Sequence, residues 1–469
     1  MNPQPRPVTW VQPEDLLRHE LWQSARELGP DQQDALQRIA DRWVGAGGTL
    51  PPPHVGASPE LGDRHLRPLA EELLAAVAAI PRQSDPALPD DWTGIAAIIE
   101  STAAQYVRHG AGTDADALSG AWLGRTVGCV LGKPVEKIPR RGIEDILRSG
   151  DRWPLRSYFT ARGLPVEVAE RWPWNRVSGP TSLIENIDGA PEDDDLNFTL
   201  MALRLLERVG LDFTSADVAQ SWLLDLPAGR SFTAERIAYR NLLCGLEPPD
   251  TARVGNPYRE WIGAQIRTDL YGWVGPGDPL GAARRAHRDA AVSHTRNGLY
   301  CAMALAAMGS IAVVRTPDRP GIADALDAGL AVVPPDSAAA AAIILGRRLA
   351  TDGLPPEDAY VALERAYPDL HWVHALNNTA LVAYALTFGE GAFDRSICTV
   401  VAGGWDTDSN GASVGGIVGA LTGASSIDPE WTTPLRDRLS SALPGEDGGA
   451  ITAAAARTLA LVGSGGDVS

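Results

Sequence analysis

Glycine recurs every fourth residue in two separate stretches, at Gly120, Gly124, Gly128 and Gly132 and again at Gly411, Gly415, Gly419 and Gly423. On an α-helix this spacing places the residues along one slowly drifting stripe. A glycine inside a helix costs roughly 1 kcal/mol relative to alanine, so each stripe needs a compensating gain. Close approach of two helix backbones is the usual one, and packing alone is a sufficient reason for both. Pro134 ends the first stretch, because proline cannot continue a helix, and Glu136 follows it. The second stretch begins directly after Asp406-Thr407-Asp408-Ser409. The pattern predicts a tightly packed central helix pair that holds the polar ends of both stretches rigidly.

The rest of the chain agrees with an all-α fold. Segments of helical period and length recur, among them 196–209, 215–225, 279–291, 298–313, 337–351, 356–366 and 374–385, and convincing alternating strands are absent. Residues 13–28, 31–44, 66–79 and 92–106 also read as helical. They form an N-terminal helical extension over residues 1–113, interrupted by a Pro- and Gly-rich loop from Gly45 to Asp63. The main domain is expected over 114–462, with a flexible tail at 463–469. The extension is expected to cover a cleft, form an interface or enlarge the core.

Charge and cysteine usage exclude several functions. The net charge is −18, and Lys133 and Lys137 are the only lysines. A nucleic-acid partner is therefore not expected, because phosphate binding needs clustered cations. Cys129, Cys244, Cys301 and Cys398 form no CxxC pair, which argues against zinc. Their spacing suits reduced thiols in a cytoplasmic protein. The first residues lack the apolar core of a signal peptide, and the most apolar stretches are too short to cross a bilayer.

Two acidic runs carry the candidate chemistry. Glu192-Asp193-Asp194-Asp195 and Asp406-Thr407-Asp408-Ser409 each open into a helix-like stretch. One Asp at such a place would serve as an N-cap. Three in a row exceed that need, and carboxylates so close raise one another's pKa. A hard cation such as Mg²⁺ would keep them ionised. Brought together by folding, the runs would make a site for one or two ions. Gly403 and Gly404 allow unusual backbone angles before the second run. Other polar residues have plainer explanations. His294 is lone, His371 and His374 lack the glutamate of a zinc protease, Asn377 and Asn378 suit helix bridging, and Trp273 and Trp405 could line a pocket or fill the core.

In their order along the chain these motifs resemble those of the ADP-ribosylglycohydrolase family, over roughly residues 114–425. Gly120-Ala121-Trp122-Leu123-Gly124, with Gly128, Gly132, Pro134 and Glu136, is similar to the family's opening Gly-rich helix and its glutamate. Asp193-Asp194-Asp195-Leu196 resembles its Thr-Asp-Asp-Thr run. Residues 262–267, with Gly263 and Arg267, resemble its Asn-Gly-x-x-Met-Arg segment, and Ser293-His294 its Thr/Ser-His step. Gly404-Trp405-Asp406-Thr407-Asp408-Ser409 resembles the closing Gly-Asp-Thr-Asp-Thr motif with one Trp inserted.

The resemblance implies an all-α fold with a central binuclear metal cleft holding two Mg²⁺ ions, with Mn²⁺ as an alternative. Asp193, Asp194, Asp195, Asp406, Asp408 and Ser409 would supply the metal shell. Glu136 would be a carboxylate near the metals, outside their first shell or gating the site. Gly263 and Arg267 would lie near substrate phosphates, with His294 and Trp405 also on the substrate side. The implied activity is hydrolysis at the anomeric carbon of an ADP-ribosyl group, such as ADP-ribosyl-arginine on a protein, with Asp194 or Asp195 as the base. The alternatives are hydrolysis of a free nucleotide, nucleoside or NAD-derived metabolite, and a non-catalytic ADP-ribose-binding regulator. Asp193 stands where the family has Thr, so six carboxylates, counting Glu136, would face two ions. That surplus of charge should weaken attraction for a pyrophosphate.

Overall fold

The computed structural model describes residues 8–52, 63–82 and 85–464. The opening residues read for a signal peptide, most of the Gly45–Asp63 loop and the end of the expected tail lie outside the described residues. Within them the chain is helical, and extended pairing is limited to isolated bridges such as Trp261 with His374. The final helix, Ile451–Ser464, includes the first two residues of the expected tail.

Two helices, Ala115–Gly132 and Thr407–Thr422, form the spine. They run antiparallel with their backbones in contact. A Cβ built on Gly120 would lie 2.1 Å from the Gly419 carbonyl oxygen, one on Gly124 2.1 Å from that of Gly415, and one on Gly128 1.9 Å from that of Gly411. The reciprocal contacts are equally short. Each glycine therefore makes room for the carbonyl opposite, and both stripes are explained by packing.

The fourth position departs from the sequence reading. Gly132 faces Thr407, whose carbonyl carbon would lie 2.2 Å from an added Cβ. Gly423 takes no part in the stripe. It caps the C-terminus of the second helix at φ +89°, and a Cβ there would meet Asp116 Oδ2 at 1.9 Å. Its glycine answers a left-handed backbone, not a facing helix.

The helices Pro13–Glu27, Pro30–Gly45 and Arg67–Ala78 share a small core of their own, including Leu17, Leu21, Trp43, Leu73 and Val77. Trp92–Ala103 does not join it; Ile95, Ile99 and Ala103 are buried in the main core. The first helix is locked to the body through buried Arg259, whose Nη1 donates to Glu20 at 2.9 Å and whose Nη2 donates to Glu27 at 2.5 Å. Gln23 Nε2 adds a bond to Glu260 at 3.0 Å.

Candidate active site

The antiparallel pairing sets the C-terminal end of the first spine helix against the N-terminal end of the second. Thr407 Oγ1 donates across the junction to the Gly132 carbonyl at 2.8 Å. Lys133 and Glu136, which leave the first helix, therefore emerge beside the Asp406–Ser409 turn. The helix Asp194–Val209 brings its own N-terminus to the same place, where Ser409 Oγ donates to Asp195 Oδ2 at 3.1 Å. The two acidic runs thus meet. Glu136, Asp193, Asp194, Asp195, Asp406, Asp408 and Ser409 all line one cavity of about 210 Å³.

Each carboxylate has a distinct setting. Asp193 is the N-cap of its helix, and its Oδ1 accepts the Asp195 N–H at 2.9 Å. Its Oδ2 is paired with buried Lys133, which also donates to the Glu192 carbonyl at 3.2 Å. The surplus charge expected from Asp193 is therefore cancelled by a lysine three residues before Glu136. One oxygen each from Asp193, Asp194 and Asp195 come within 4.8 Å of one another, the only such group of metal-capable side chains among the described residues. Asp195 is held from behind by fully buried Arg125, which donates to the Asp195 carbonyl at 2.6 Å and to Asp269 at 2.8 Å. Asp194 is the most open of the three.

Asp406 occupies the N-cap position of its helix, yet its side chain accepts no capping bond. Its N–H donates to Asn378 Oδ1 at 3.2 Å, as does Asn410 Nδ2 at 2.6 Å. Asn378 thus bridges helix and turn as expected. The turn itself needs left-handed backbone at Gly404 (φ +81°) and Trp405 (φ +59°). Glu136 lines the same cavity, its Oε2 accepting from Asn175 Nδ2 at 2.6 Å and its Oε1 3.2 Å from Lys137 Nζ.

The electrostatics follow from burial of like charges. Burial, and then the charge of neighbouring carboxylates, pushes Asp194, Asp195 and Asp406 well above the usual carboxylate range. Asp408 is pushed up to about 7 by burial and by Glu136. Asp193 goes the other way, because Lys133 outweighs the burial that would raise it. A bound cation would favour the charged form of all four acids. The donors are all oxygens, which fits a hard divalent ion.

Three of the residues expected at the substrate do not line the acidic cavity. Arg267 is 1% exposed and does not reach the cavity. Its charge is spent on Glu235 and Asp289, and its Nη2 donates to Ser293 Oγ at 2.8 Å. His294 is also buried, shares a 2.8 Å hydrogen bond with Ser293 Oγ, and sits 3.9 Å from Glu235. Burial pushes its imidazole well below the usual range, which favours the neutral form. Both residues form a layer behind the wall. Trp405 lines an adjoining cavity of about 380 Å³ with Tyr367 and Trp372. Gly263 does line the acidic cavity, and a Cβ there would meet Glu235 Oε1 at 2.1 Å. Trp273 is core, packed on Trp122.

Sequence reasoning missed Lys133, Arg125 and Glu235, and also the cavity-lining Lys137, Arg230, Phe232 and Trp372. The usable signal was rarity: the two lysines of the chain flank Glu136. Arg125 and Glu235 carried none, since buried and exposed charges look alike in a sequence.

A family model described as ADP-ribosylglycohydrolase matches residues 111–464. No curated protein matches the chain. A solved structure described as an "ADP-ribosylglycohydrolase-related protein complex" is similar at 22% identity, covering 74% of this chain and 97% of that one, with a TM-score of 0.40. No helix among the described residues is long and apolar enough to cross a membrane.

Proposed function

The chain belongs to the ADP-ribosylglycohydrolase family, hydrolases of glycosidic bonds, and on that premise we propose that it is a Mg²⁺-dependent N-glycosyl hydrolase releasing ADP-ribose from ADP-ribosylated arginine on protein. The observation that carries this reading is the meeting of the two acidic runs in one cavity, with four of their carboxyls pushed above their ordinary range.

Asp194, Asp195, Asp406, Asp408 and Ser409 would hold two ions, and Asp193 completes the acid cluster with its charge offset by Lys133. When bound, the ions supply positive charge that holds a ribose diol and lowers the pKa of a water. The protein does the rest. Asp195 is fixed by Ser409 and backed by Arg125, so Asp194, the more open of the pair, is the better placed to take a proton. Glu136, anchored by Asn175 and Lys137, is the gating carboxylate. Lys137 and Arg230, which pair with Glu136 and Glu192 but stay partly exposed, bring cations to the same cavity, which suits an anionic pyrophosphate. With Lys133 neutralising Asp193, the electrostatic objection to a pyrophosphate is removed.

The test is product analysis by mass spectrometry with Mg²⁺, offering arginine-ADP-ribosylated protein, other ADP-ribose derivatives, NAD and nucleosides in parallel. Release of ADP-ribose from the modified arginine is expected. Cleavage of free nucleotides alone would move the assignment to a metabolite hydrolase. Absence of any product from metal-loaded protein would contradict a hydrolase.

A further inference from the structure

The matched family region begins at residue 111, yet the acidic cavity is also lined by Trp10. We infer that the N-terminal segment completes the substrate cleft, and that Trp10 is a specificity-determining residue which packs against the adenine ring of the ADP-ribosyl group. This rests on reading the cavity as an ADP-ribosyl site.

The segment is built into the wall. Arg236 Nη1 donates to the Thr9 carbonyl at 2.9 Å, and Gln12 Nε2 donates to that of Val8 at 2.8 Å. Trp10 itself is held at φ +67°, a conformation a bulky residue adopts only when its surroundings impose it. Those surroundings are a ring cluster of His19, Tyr258, Trp261 and His371, with centroids 5.5–6.0 Å from the Trp10 ring. Leu16, one turn into the following helix, is buried with Tyr258, Trp261, Ile262 and Val373 beneath the same wall. The Glu20 and Glu27 pairs with Arg259 fix the same face of that helix further along.

Trp10 is nevertheless only partly buried, and it lines the cavity. A tryptophan serving the core alone would resemble Trp273, which is fully enclosed. The cavity adds Phe232 and Trp372 to Trp10, so it joins an acid-lined part, cations and an aromatic lining. A ribose diol, a pyrophosphate and a purine require those three chemistries together. Stacking of a base on an aromatic side chain is worth about 1–3 kcal/mol, enough to set preference for a purine-bearing substrate.

The experiment measures binding of ADP-ribose and of ribose 5-phosphate to the full chain with Mg²⁺, for wild type, Trp10→Ala, Trp10→Phe and Trp22→Ala. Trp22 lies on the helix that follows Trp10 but lines a different cavity. Trp10→Ala should weaken ADP-ribose by at least about fivefold and leave ribose 5-phosphate within about twofold. Trp10→Phe should recover most of the loss, and Trp22→Ala should match wild type. Equal loss of both ligands, or no loss of either, overturns the inference while leaving the hydrolase reading intact. Wild-type protein that binds no ADP-ribose overturns the reading of the cleft and this inference with it. Thermal melts accompany each variant; if Trp10→Ala fails to fold, Trp10→Phe with unchanged ribose 5-phosphate binding and a smaller ADP-ribose loss decides the case.

Discussion

The same steric insult at the two ends of the glycine spine should have different functional consequences. In Gly120→Ala the new methyl would lie 2.1 Å from the Gly419 carbonyl oxygen, and in Gly132→Ala 2.2 Å from the Thr407 carbonyl carbon, where ordinary contact begins near 3.4 Å. The helices must separate locally by more than 1 Å (about 1.2–1.3 Å by difference), and backbone cannot rotate aside as a side chain can. Overpacking of this kind costs about 1–3 kcal/mol, and the contacts here belong at the upper end. Alanine returns roughly 1 kcal/mol of helix propensity, so each variant should lose about 1–2 kcal/mol. The ends then diverge. Gly120 is remote from the acidic turn, whereas a methyl on Gly132 also lies 2.3 Å from the Asp408 N, and the Gly132 carbonyl accepts the Thr407 hydroxyl. Gly132→Ala should weaken Mg²⁺ or Mn²⁺ binding at least about tenfold, or about 1.4 kcal/mol, and lower kcat with it. Gly120→Ala should spare both. Gly45→Ala, whose added Cβ meets nothing within 4 Å, is the control and should be neutral or slightly stabilising. Denaturation and metal titration calorimetry read these quantities. Unchanged stability of Gly120→Ala, or equal loss of metal affinity in both spine variants, would refute the reasoning.

Replacing both Asp406 and Asp408 by Asn should abolish metal binding while the helix start survives, since Asp406 makes no capping bond; unchanged affinity by calorimetry would remove the metal site. Lys133→Met leaves Asp193 buried without its partner and should destabilise the metal-free protein by about 3 kcal/mol, read by urea unfolding; a neutral result would show that the pair does not offset the acid cluster. The folded pKa of Asp408, about 7, exceeds its unfolded value of 3.8. The stability it contributes is therefore present below that unfolded value and lost as pH rises through about 7. The melting temperature of metal-free protein should fall between about pH 4 and pH 7, and saturating Mg²⁺ should flatten the trend; a rise with pH in metal-free protein would contradict it.

The spine was legible because glycine inside a helix is costly and its spacing reports a face. The antiparallel register was not, since only folding pairs Gly120 with Gly419 and Gly128 with Gly411. Gly423 kept the period of four for an unrelated reason, a left-handed cap. The helices themselves, such as Ser215–Asp225 and Pro356–Ala366, followed from periodicity and breakers. The acidic runs announced a charged site, but a sequence does not say which charges are already paired. Hence Asp193 looked like surplus until Lys133 was found beside it, and Arg267 looked available until Glu235 and Asp289 were found holding it. The N-terminal segment shows the same limit, because nothing near Trp10 in sequence points to residues 193–195 or 406–409.

Anomalous diffraction from crystals grown with Mn²⁺ tests the metal centre most directly. Two peaks are expected in the cavity, each flanked by oxygens drawn from Asp194, Asp195, Asp406, Asp408 and Ser409, and both should vanish in the Asp406→Asn, Asp408→Asn protein. Manganese absent from the cavity, or bound there just as well when those two aspartates are replaced, would contradict a binuclear centre formed by the two acidic runs.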